Sequence, residues 1–215
     1  MKKDEAYRYI KNLIIQGKWH PEKSINVTEL GDYLNMSRTP IHRALSQLAE
    51  EGYLDIIPQV GVFVKRPDPK EVLERVYVCA NLDALMTEEA ARLMNKEDLA
   101  YLEKLLQTMD NPHLSPEDYA ALNIKFHKTI YHASGYSYTI KLAKQLWDYL
   151  NYLGTPELLF ISDRRKRSQV EHWLIYYALK DKNSKLAKEL VELHMRRVAD
   201  VIDEVITKSK QAVSS

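Results

Sequence analysis

The chain has 215 residues, 45% of them hydrophobic, which is enough for one large domain or two small ones with a packed core. Its formal net charge is +1, which excludes a surface that is basic overall, so any nucleic-acid surface must be local. Only 6 Gly and 8 Pro argue against a turn-rich β fold and predict a mainly α protein. The single cysteine, Cys79, excludes an internal disulfide framework and is expected to be a small buried hydrophobe.

The amino terminus, "MKKDEAYRYI", has no apolar region of the kind a signal peptide needs. No run along the chain approaches 18 consecutive apolar residues, the length at which a transmembrane helix becomes a candidate. These two features predict a cytoplasmic protein with no membrane partner.

The first 66 residues predict three helices followed by a small β-hairpin. Apolar residues recur at helical spacing over residues 4–16, 27–34 and 38–51. Ser37 is expected to cap the third helix, and Pro40 falls in its first turn, where a missing N–H is tolerated. The β-branched runs "YLDII" and "VGVFVK" then predict two paired strands.

A linker is predicted at residues 67–70, where "RPDPKE" contains two prolines in three residues. Beyond it, strand patterns are almost absent. Helical periodicity covers residues 70–94, 96–110, 116–134, 137–153, 156–180 and 182–208. The sequence therefore predicts a winged helix-turn-helix at residues 1–66 and an all-α antiparallel helical bundle at residues 71–215.

The third predicted helix has the pattern of a DNA-reading helix. In a helix-turn-helix, the second helix enters the major groove and its N-terminal side chains reach base edges. Ile41, Leu45 and Leu48 would face the core. The polar candidates for DNA contact are Ser37, Arg38, Thr39, His42 and Arg43. At the hairpin tip, Gly61 would let the backbone approach a groove closely. Taken alone, the helix is equally compatible with an ordinary capped helix that has a solvated charged face.

The segment "INVTELGDYLNMSRTPIHRALSQLAEEGYLDIIPQVGVFV" resembles the winged helix-turn-helix of the GntR family of bacterial transcription regulators. The matching residues are Ser37, Arg38, Thr39, Pro40, Ala44, Leu45, Gly52 and Gly61. The resemblance implies binding of double-stranded operator DNA by a homodimer. Three positions depart from the family pattern: His42, Arg43 and Val60 replace the usual Arg, Glu and Arg. The family's usual operator sequence is therefore not implied.

Three histidines on predicted helices form a candidate metal site. Asn123 and His127 share a helix face at i and i+4, whereas His172 and His194 lie within two later helices. Three imidazoles and one amide oxygen suit a borderline ion such as Zn²⁺ or Ni²⁺ and leave positions open for a ligand. From spacing alone, hydrogen-bonded core histidines remain the alternative.

The helical half is similar to the FCD effector domain of the FadR subfamily, whose members often hold a metal with Asp-x3-His and two later histidines. The matching stretches are "NIKFH", "VEHW" and "ELHM". The resemblance implies a divalent metal held by Asn123, His127, His172 and His194. Asn123 replaces the usual Asp and brings no charge, which should lower the affinity. His132 lies outside the pattern and is expected to be structural.

The resemblance also bears on the effector. Members that bind carboxylic acids often have an Arg in the first helix of the domain, but in the comparable stretch "YVCANLDALMTEEAARLM" Asp83 stands near that place and no Arg occurs before Arg92. This implies an effector that is uncharged or cationic, or that coordinates the metal. The basic run at residues 164–167 is predicted to be a solvated helix face.

These patterns together predict a DNA-binding transcription regulator, a repressor, and not an enzyme. A small metabolite bound in a metal-containing helical domain would control operator affinity. Two alternatives remain: a metal-dependent hydrolase that uses the histidine cluster, and a winged-helix module that binds protein. The hydrolase needs a general base beside the metal, and no Glu is placed by sequence spacing for that role.

Overall fold

A computed structural model describes residues 2–66, 68–152 and 162–213. The chain forms two compact units that divide between Asp68 and Pro69. The elements of the first unit are α1 (Lys2–Ile15), α2 (Val27–Leu34), α3 (Arg38–Glu50), β1 (Leu54–Ile57) and β2 (Gly61–Val64). This order of three helices and a hairpin confirms the predicted winged helix-turn-helix.

The turn between α2 and α3 is fixed by local chemistry. The Asn26 side chain caps α2 by accepting hydrogen bonds from the backbone N–H groups of Thr28 and Glu29. Asn35 ends α2 in the left-handed conformation, with φ of 49°. A Cβ atom on Gly31 would lie 3.1 Å from the backbone oxygen of Met36, so glycine permits the close return of the chain after α2.

The core of the first unit contains the apolar face of α3. Ile41, Leu45 and Leu48 are buried, as the sequence predicted. Ser37 occupies the N-cap position, with φ of −66° and ψ of 162°, but its side chain makes no capping hydrogen bond. The prediction that Ser37 is the N-cap residue of α3 is confirmed by its position, but its hydroxyl does not bond to the first turn of the helix.

The hairpin is a two-stranded antiparallel sheet in which Leu54 pairs with Val64 and Ile57 pairs with Gly61. Leu54 and Val64 are buried, whereas Ile57 is exposed. The wing is therefore anchored to the core at the end where Leu54 and Val64 pair. Its turn projects away from that anchor.

The second unit is helical throughout its described part and contains no described strand. Its elements are α4 (Pro69–Leu93), α5 (Lys96–Met109), α6 (Pro116–Ser134), α7 (Ser137–Tyr152), α8 (Ser162–Lys180) and α9 (Ser184–Val213). α4 packs against α6 and α9, and α8 packs against α9 and α5. The predicted all-α bundle is confirmed. Among the described helices, none has both the length and the apolar composition needed to cross a membrane.

The helix boundaries differ from the predicted ones in small ways. α4 begins at Pro69, inside the segment 67–70 where the sequence predicts the linker. α9 begins at Ser184 and continues to Val213, beyond the predicted end at residue 208. Residues 153–161 lie outside the described residues, and with them the predicted first residues of the fifth bundle helix. The starts of α5 and α6 agree with the predicted residues 96 and 116, because the side chains of Asn95 and Ser115 cap these helices.

Candidate functional site

The candidate DNA surface is the exposed side of α3. Ile41, Ala44 and Leu45 are buried on the opposite side of the helix. The predicted DNA-contacting side chains are all exposed: Ser37, Arg38, Thr39, His42 and Arg43. Because Ser37 makes no capping bond, its hydroxyl is available to an outside group. The structure thus brings five of the six predicted residues together, Ser37 at the N-cap of α3 and the other four on its first two turns.

Arg38 connects the two helices of the helix-turn-helix. Its Nη2 donates a hydrogen bond to Oγ1 of Thr28 on α2 at 3.3 Å. Both side chains are exposed, so the bond is weak, but it directs the guanidinium along the surface shared by α2 and the start of α3.

Gly61 is the sixth predicted residue and lies on a different element, at the start of β2. Its φ of +152° is a conformation that side chains rarely adopt. The neighbouring Val60 is exposed at 67%. The wing therefore presents backbone and an apolar side chain near its turn, without the arginine that is usual at position 60.

The candidate metal site lies within the second unit, where three helices each supply one histidine. His127 comes from α6, His172 from α8 and His194 from α9, and all three are buried. One ligand atom from each lies within 4.8 Å of the others. A four-coordinate ion with metal–nitrogen distances of about 2.0–2.1 Å brings its ligand nitrogens to roughly 3–4 Å. Small side-chain rotations would close that difference.

The imidazoles have the protonation state that metal ligation requires. Burial, together with the nearby His194, lowers the pKa of His127 to about 3. Burial also brings the pKa of His172 well below its usual range. Nδ1 of His127 and both ring nitrogens of His172 are buried and have no hydrogen-bond partner among the described residues. Buried imidazole nitrogens without a hydrogen-bond partner destabilise the folded protein. A cation bound to their lone pairs would remove that cost.

Glu171 orients the third imidazole. Its Oε2 lies 2.6 Å from Nδ1 of His194, so Nδ1–H donates to the carboxylate and Nε2 keeps the lone pair for a metal. Burial alone would raise the pKa of Glu171. The hydrogen bond from His194, together with Arg197 and Arg164, outweighs burial and lowers that pKa to about 2.

Two arginines hold the Glu171 carboxylate from the outer side. Nη1 of Arg164 donates to Oε2 at 3.0 Å and Nη1 of Arg197 donates to Oε1 at 2.6 Å. Arg164 also donates from Nη2 to the backbone oxygen of His194 at 3.3 Å. The carboxylate therefore stays ionised and fixed in place.

The prediction that residues 164–167 form a solvated helix face is wrong for the first two. The Arg164 side chain is only 10% exposed. Arg165 donates hydrogen bonds to the backbone oxygens of Asn111 and Leu114 and lies over the ring of Tyr119. Arg167, with Lys166, remains exposed. Arg164 and Arg165 are therefore partly buried and hydrogen-bonded to other parts of the second unit.

Asn123 lies on α6 one turn before His127, on the same face. Its Oδ1 is buried and has no hydrogen-bond partner among the described residues. An unpartnered amide oxygen in this position fits a fourth ligand. His132 also lies on α6, but it is exposed and stands apart from the three buried imidazoles.

Glu171 is the main site residue that the sequence did not single out. Its signal was its place directly before His172 in "VEHW". Adjacent helical residues point about 100° apart, so only the packing of α8 against α9 shows that Glu171 faces His194. The cysteine matches its expectation: Cys79 is buried, and burial raises its thiol pKa far above the ordinary range.

Comparison with protein families assigns both units. Residues 2–64 match the family model described as bacterial regulatory proteins, gntR family. Residues 76–197 match the family model of the FCD domain. The chain belongs to the GntR family. Its second unit is an FCD domain, and the three buried histidines all lie within the matched segment.

Individual relatives agree with this assignment of a GntR-family regulator. The HTH-type transcriptional regulator YdhC of Bacillus subtilis is 27% identical over 96% of this chain and 93% of its own length. The HTH-type transcriptional repressor GlaR of Escherichia coli is 21% identical over 94% and 96%.

Solved structures share the fold. E. coli McbR/YncC has a TM-score of 0.71 at 20% identity and covers 96% of this chain and 99% of its own. A GntR family member from Pseudomonas syringae has a TM-score of 0.56 at 18% identity, with coverage of 98% and 88%.

These comparisons make the GntR-family chain a DNA-binding transcription regulator and not an enzyme, as the sequence predicted. The structure gives a physical reason against the hydrolase alternative. Glu171 is the carboxylate nearest to His194, but it is fixed by two arginines and has a pKa of about 2. A carboxylate with so low a pKa is a poor general base.

Proposed function

We propose that this GntR-family regulator is a homodimeric repressor whose operator affinity falls when a small metabolite binds in its FCD domain. The repressor role is supported by similarity to GlaR, which is described as a transcriptional repressor. The dimer is supported by the reading of two-fold symmetric half-sites, which needs two helix-turn-helix units.

Contact with DNA is assigned to the exposed start of α3 and to the wing. The guanidinium groups of Arg38 and Arg43 can each donate two hydrogen bonds to O6 and N7 of a guanine. His42 offers a ring nitrogen to a base or a phosphate. Ser37 and Thr39, at the helix N-terminus, suit phosphate contacts. Gly61 would bring the wing backbone close to the duplex.

The effector site is assigned to a divalent metal centre, Zn²⁺ or Ni²⁺, held by Asn123, His127, His172 and His194. The observation that carries this assignment is the set of three buried imidazoles: His127 and His172 have ring nitrogens without a hydrogen-bond partner among the described residues, and His194 is oriented by Glu171. With these four ligands, an ion that takes five or six donors would have positions open for an oxygen or nitrogen donor of the effector. The protein residues supply the burial that excludes water and the fixed orientation of the ligand atoms.

The positions of the candidate metal ligands indicate how an effector would act on the FCD domain. The candidate ligands lie on α6, α8 and α9, so an effector held at this point would contact three helices of the bundle at once. It can change operator affinity only by binding more tightly to the conformation that reads DNA poorly.

The proposal is tested in two linked experiments. Duplexes selected from a random pool define the operator, and a mobility-shift assay with metal-loaded protein then screens metabolites for release. Release should disappear in His172→Ala with His194→Ala and persist in His132→Ala, which removes an exposed histidine instead. Equal release from both variants would contradict the proposed site.

A further inference from the structure

A second group of buried polar atoms lies beside the histidines and is not used by the metal site. Asp83 and Thr87 are on α4, and Tyr131 is on α6; their exposed fractions are 0%, 1% and 6%. Both oxygens of Asp83, the hydroxyl of Thr87 and the hydroxyl of Tyr131 are buried, with no hydrogen-bond partner among the described residues. Buried polar groups of this kind are normally satisfied, so each one needs an explanation.

The three side chains occupy one region between α4, α6 and α7. Asp83 and Thr87 are one helical turn apart on the same face of α4. Tyr131 packs in a cluster with Met86 of α4, and Trp147 of α7 lies against that cluster.

The same region adjoins the candidate metal site. Tyr131 is one turn beyond His127, and their ring centroids are 6.1 Å apart. The imidazole cluster and the group of Asp83, Thr87 and Tyr131 are therefore neighbours within the bundle.

The electrostatics of Asp83 point to a missing cation. Burial raises its pKa to about 7, while the Tyr131 hydroxyl and the Trp147 indole oppose that rise. The groups that favour the charged form of the Asp83 carboxylate are thus not a lysine or an arginine, but the neutral Tyr131 and Trp147. Neither reaches hydrogen-bonding geometry with its oxygens. A buried carboxylate without a counter-charge destabilises the fold, and a cationic group placed against it would relieve that cost.

The kind of cation follows from the acceptors. A primary ammonium has three N–H donors and no acceptor. One oxygen each from Asp83, Thr87 and Tyr131 supplies three acceptors. The rings of Tyr131 and Trp147 add aromatic surface, which also attracts an ammonium.

We propose that Asp83, Thr87 and Tyr131 form an ammonium-binding subsite next to the metal centre, so that the effector is a small metabolite with a primary amine and a metal-coordinating oxygen. This proposal rests on the proposed function in that both place the effector in the FCD domain. The ammonium group is opposite in charge to the carboxylic acids that an arginine at the position of Asp83 would select.

Direct binding to the metal-loaded full-length protein, without DNA, tests the subsite. Titration calorimetry compares 5-aminopentanoate with pentanoate, which lacks only the amine, and extends to aminoalkanoates from glycine to 6-aminohexanoate. The best amine should bind at least about 10-fold more tightly than the alkanoate of equal length, a typical gain for a charge-assisted contact. Asp83→Asn should abolish this preference for the amine over the alkanoate. Glu74→Gln, which removes an exposed carboxylate from the same helix, should retain it.

Thr87→Val and Tyr131→Phe provide a second set of variants in case Asp83→Asn does not fold. Each should reduce the preference for the amine over the alkanoate several-fold. The proposal is overturned if no aminoalkanoate binds at millimolar concentration, if alkanoates bind as tightly as amines, or if Asp83→Asn keeps the preference. The calorimetry contains no DNA, so its result is independent of the mobility-shift assay. If the amine is preferred in calorimetry but does not release the operator in the mobility-shift assay, only the proposed regulation is contradicted. Release by a metabolite that is indifferent to Asp83→Asn would contradict only the subsite.

Discussion

At the residue scale, burial acts in opposite directions on the two kinds of titratable group in the FCD domain. It keeps His127 and His172 neutral, which frees their nitrogens for a metal. It also favours the protonated form of Asp83, with its pKa near 7. The histidine and aspartate sites therefore make different predictions about pH and about charge-removing substitutions.

Asp83→Asn should stabilise the protein progressively more as pH rises. An Asp has a pKa near 3.8 when unfolded, and here about 7 when folded. Between these values the folded state binds a proton that the unfolded state does not, so the free energy of unfolding of the wild type falls as pH rises from about 4 to 7. Asn lacks this titration. The gain at pH 8 relative to pH 4 should be on the order of a few kcal/mol.

Urea denaturation of the metal-free protein at a series of pH values measures this difference. Because the histidines are present in both proteins, their titration cancels in the comparison. A difference in stability that does not vary between pH 4 and pH 8 would show that Asp83 is paired in the folded protein.

Glu171→Gln should weaken metal binding by about 10- to 100-fold, the usual effect of removing a carboxylate that orients a metal-bound histidine. The amide can still accept a hydrogen bond from His194 but provides no charge to make the imidazole more basic. Competition with a chromogenic chelator measures the affinity. Glu189→Gln, which changes an exposed carboxylate on α9, is the matched control and should bind metal normally.

At the element scale, α3 combines two functions on two faces. Ile41, Leu45 and Leu48 anchor it in the core of the first unit, and this burial fixes which side chains point outward. The hydrogen bond between Arg38 and Thr28 further directs one of those side chains. A recognition helix works because its apolar face determines the orientation of its polar face.

Arg38→Ala should weaken operator binding by roughly 1–3 kcal/mol if the guanidinium reads a base. Fluorescence anisotropy with the selected operator measures the affinity. Thr28→Val is the matched control, since it removes the hydrogen bond that directs Arg38 but keeps the guanidinium. A smaller loss in Thr28→Val than in Arg38→Ala is expected. An unchanged affinity in Arg38→Ala would remove Arg38 from the DNA contacts.

At the scale of the whole molecule, the candidate metal ligands join helices that are far apart in the sequence. α6, α8 and α9 each contribute a buried imidazole, so an ion bound only by the folded state would stabilise their packing. The FCD domain is therefore expected to depend on metal for stability as well as for effector binding.

Chelation should lower the melting temperature of the protein. A ligand present at 100 times its Kd raises the free energy of unfolding by about 2.7 kcal/mol. Removal of the metal therefore lowers the free energy of unfolding by the same amount. Differential scanning calorimetry of metal-loaded and chelated protein measures the shift. His127→Ala should melt at the same temperature with or without chelator, whereas a shift of wild-type size in this variant would place the metal elsewhere.

The sequence by itself determined the elements and the candidate ligands. Helix ends follow from local side-chain caps such as Asn95 and Ser115, and the core face of α3 follows from apolar spacing, so both depend on neighbours along the chain. The candidates His127, His172 and His194 could be named because three helical histidines matched a spacing and a resemblance.

Only the tertiary structure decided what surrounds those residues. The contact of Glu171 with His194, the burial of Arg164, and the grouping of Asp83 and Thr87 with Tyr131 all depend on the rotation of each helix about its axis and on which helices pack together. Helical periodicity gives neighbours three and four residues apart, but it does not specify which side chain of another helix lies opposite. The packing of α4 against α6, and of α8 against α9, fixes those pairs.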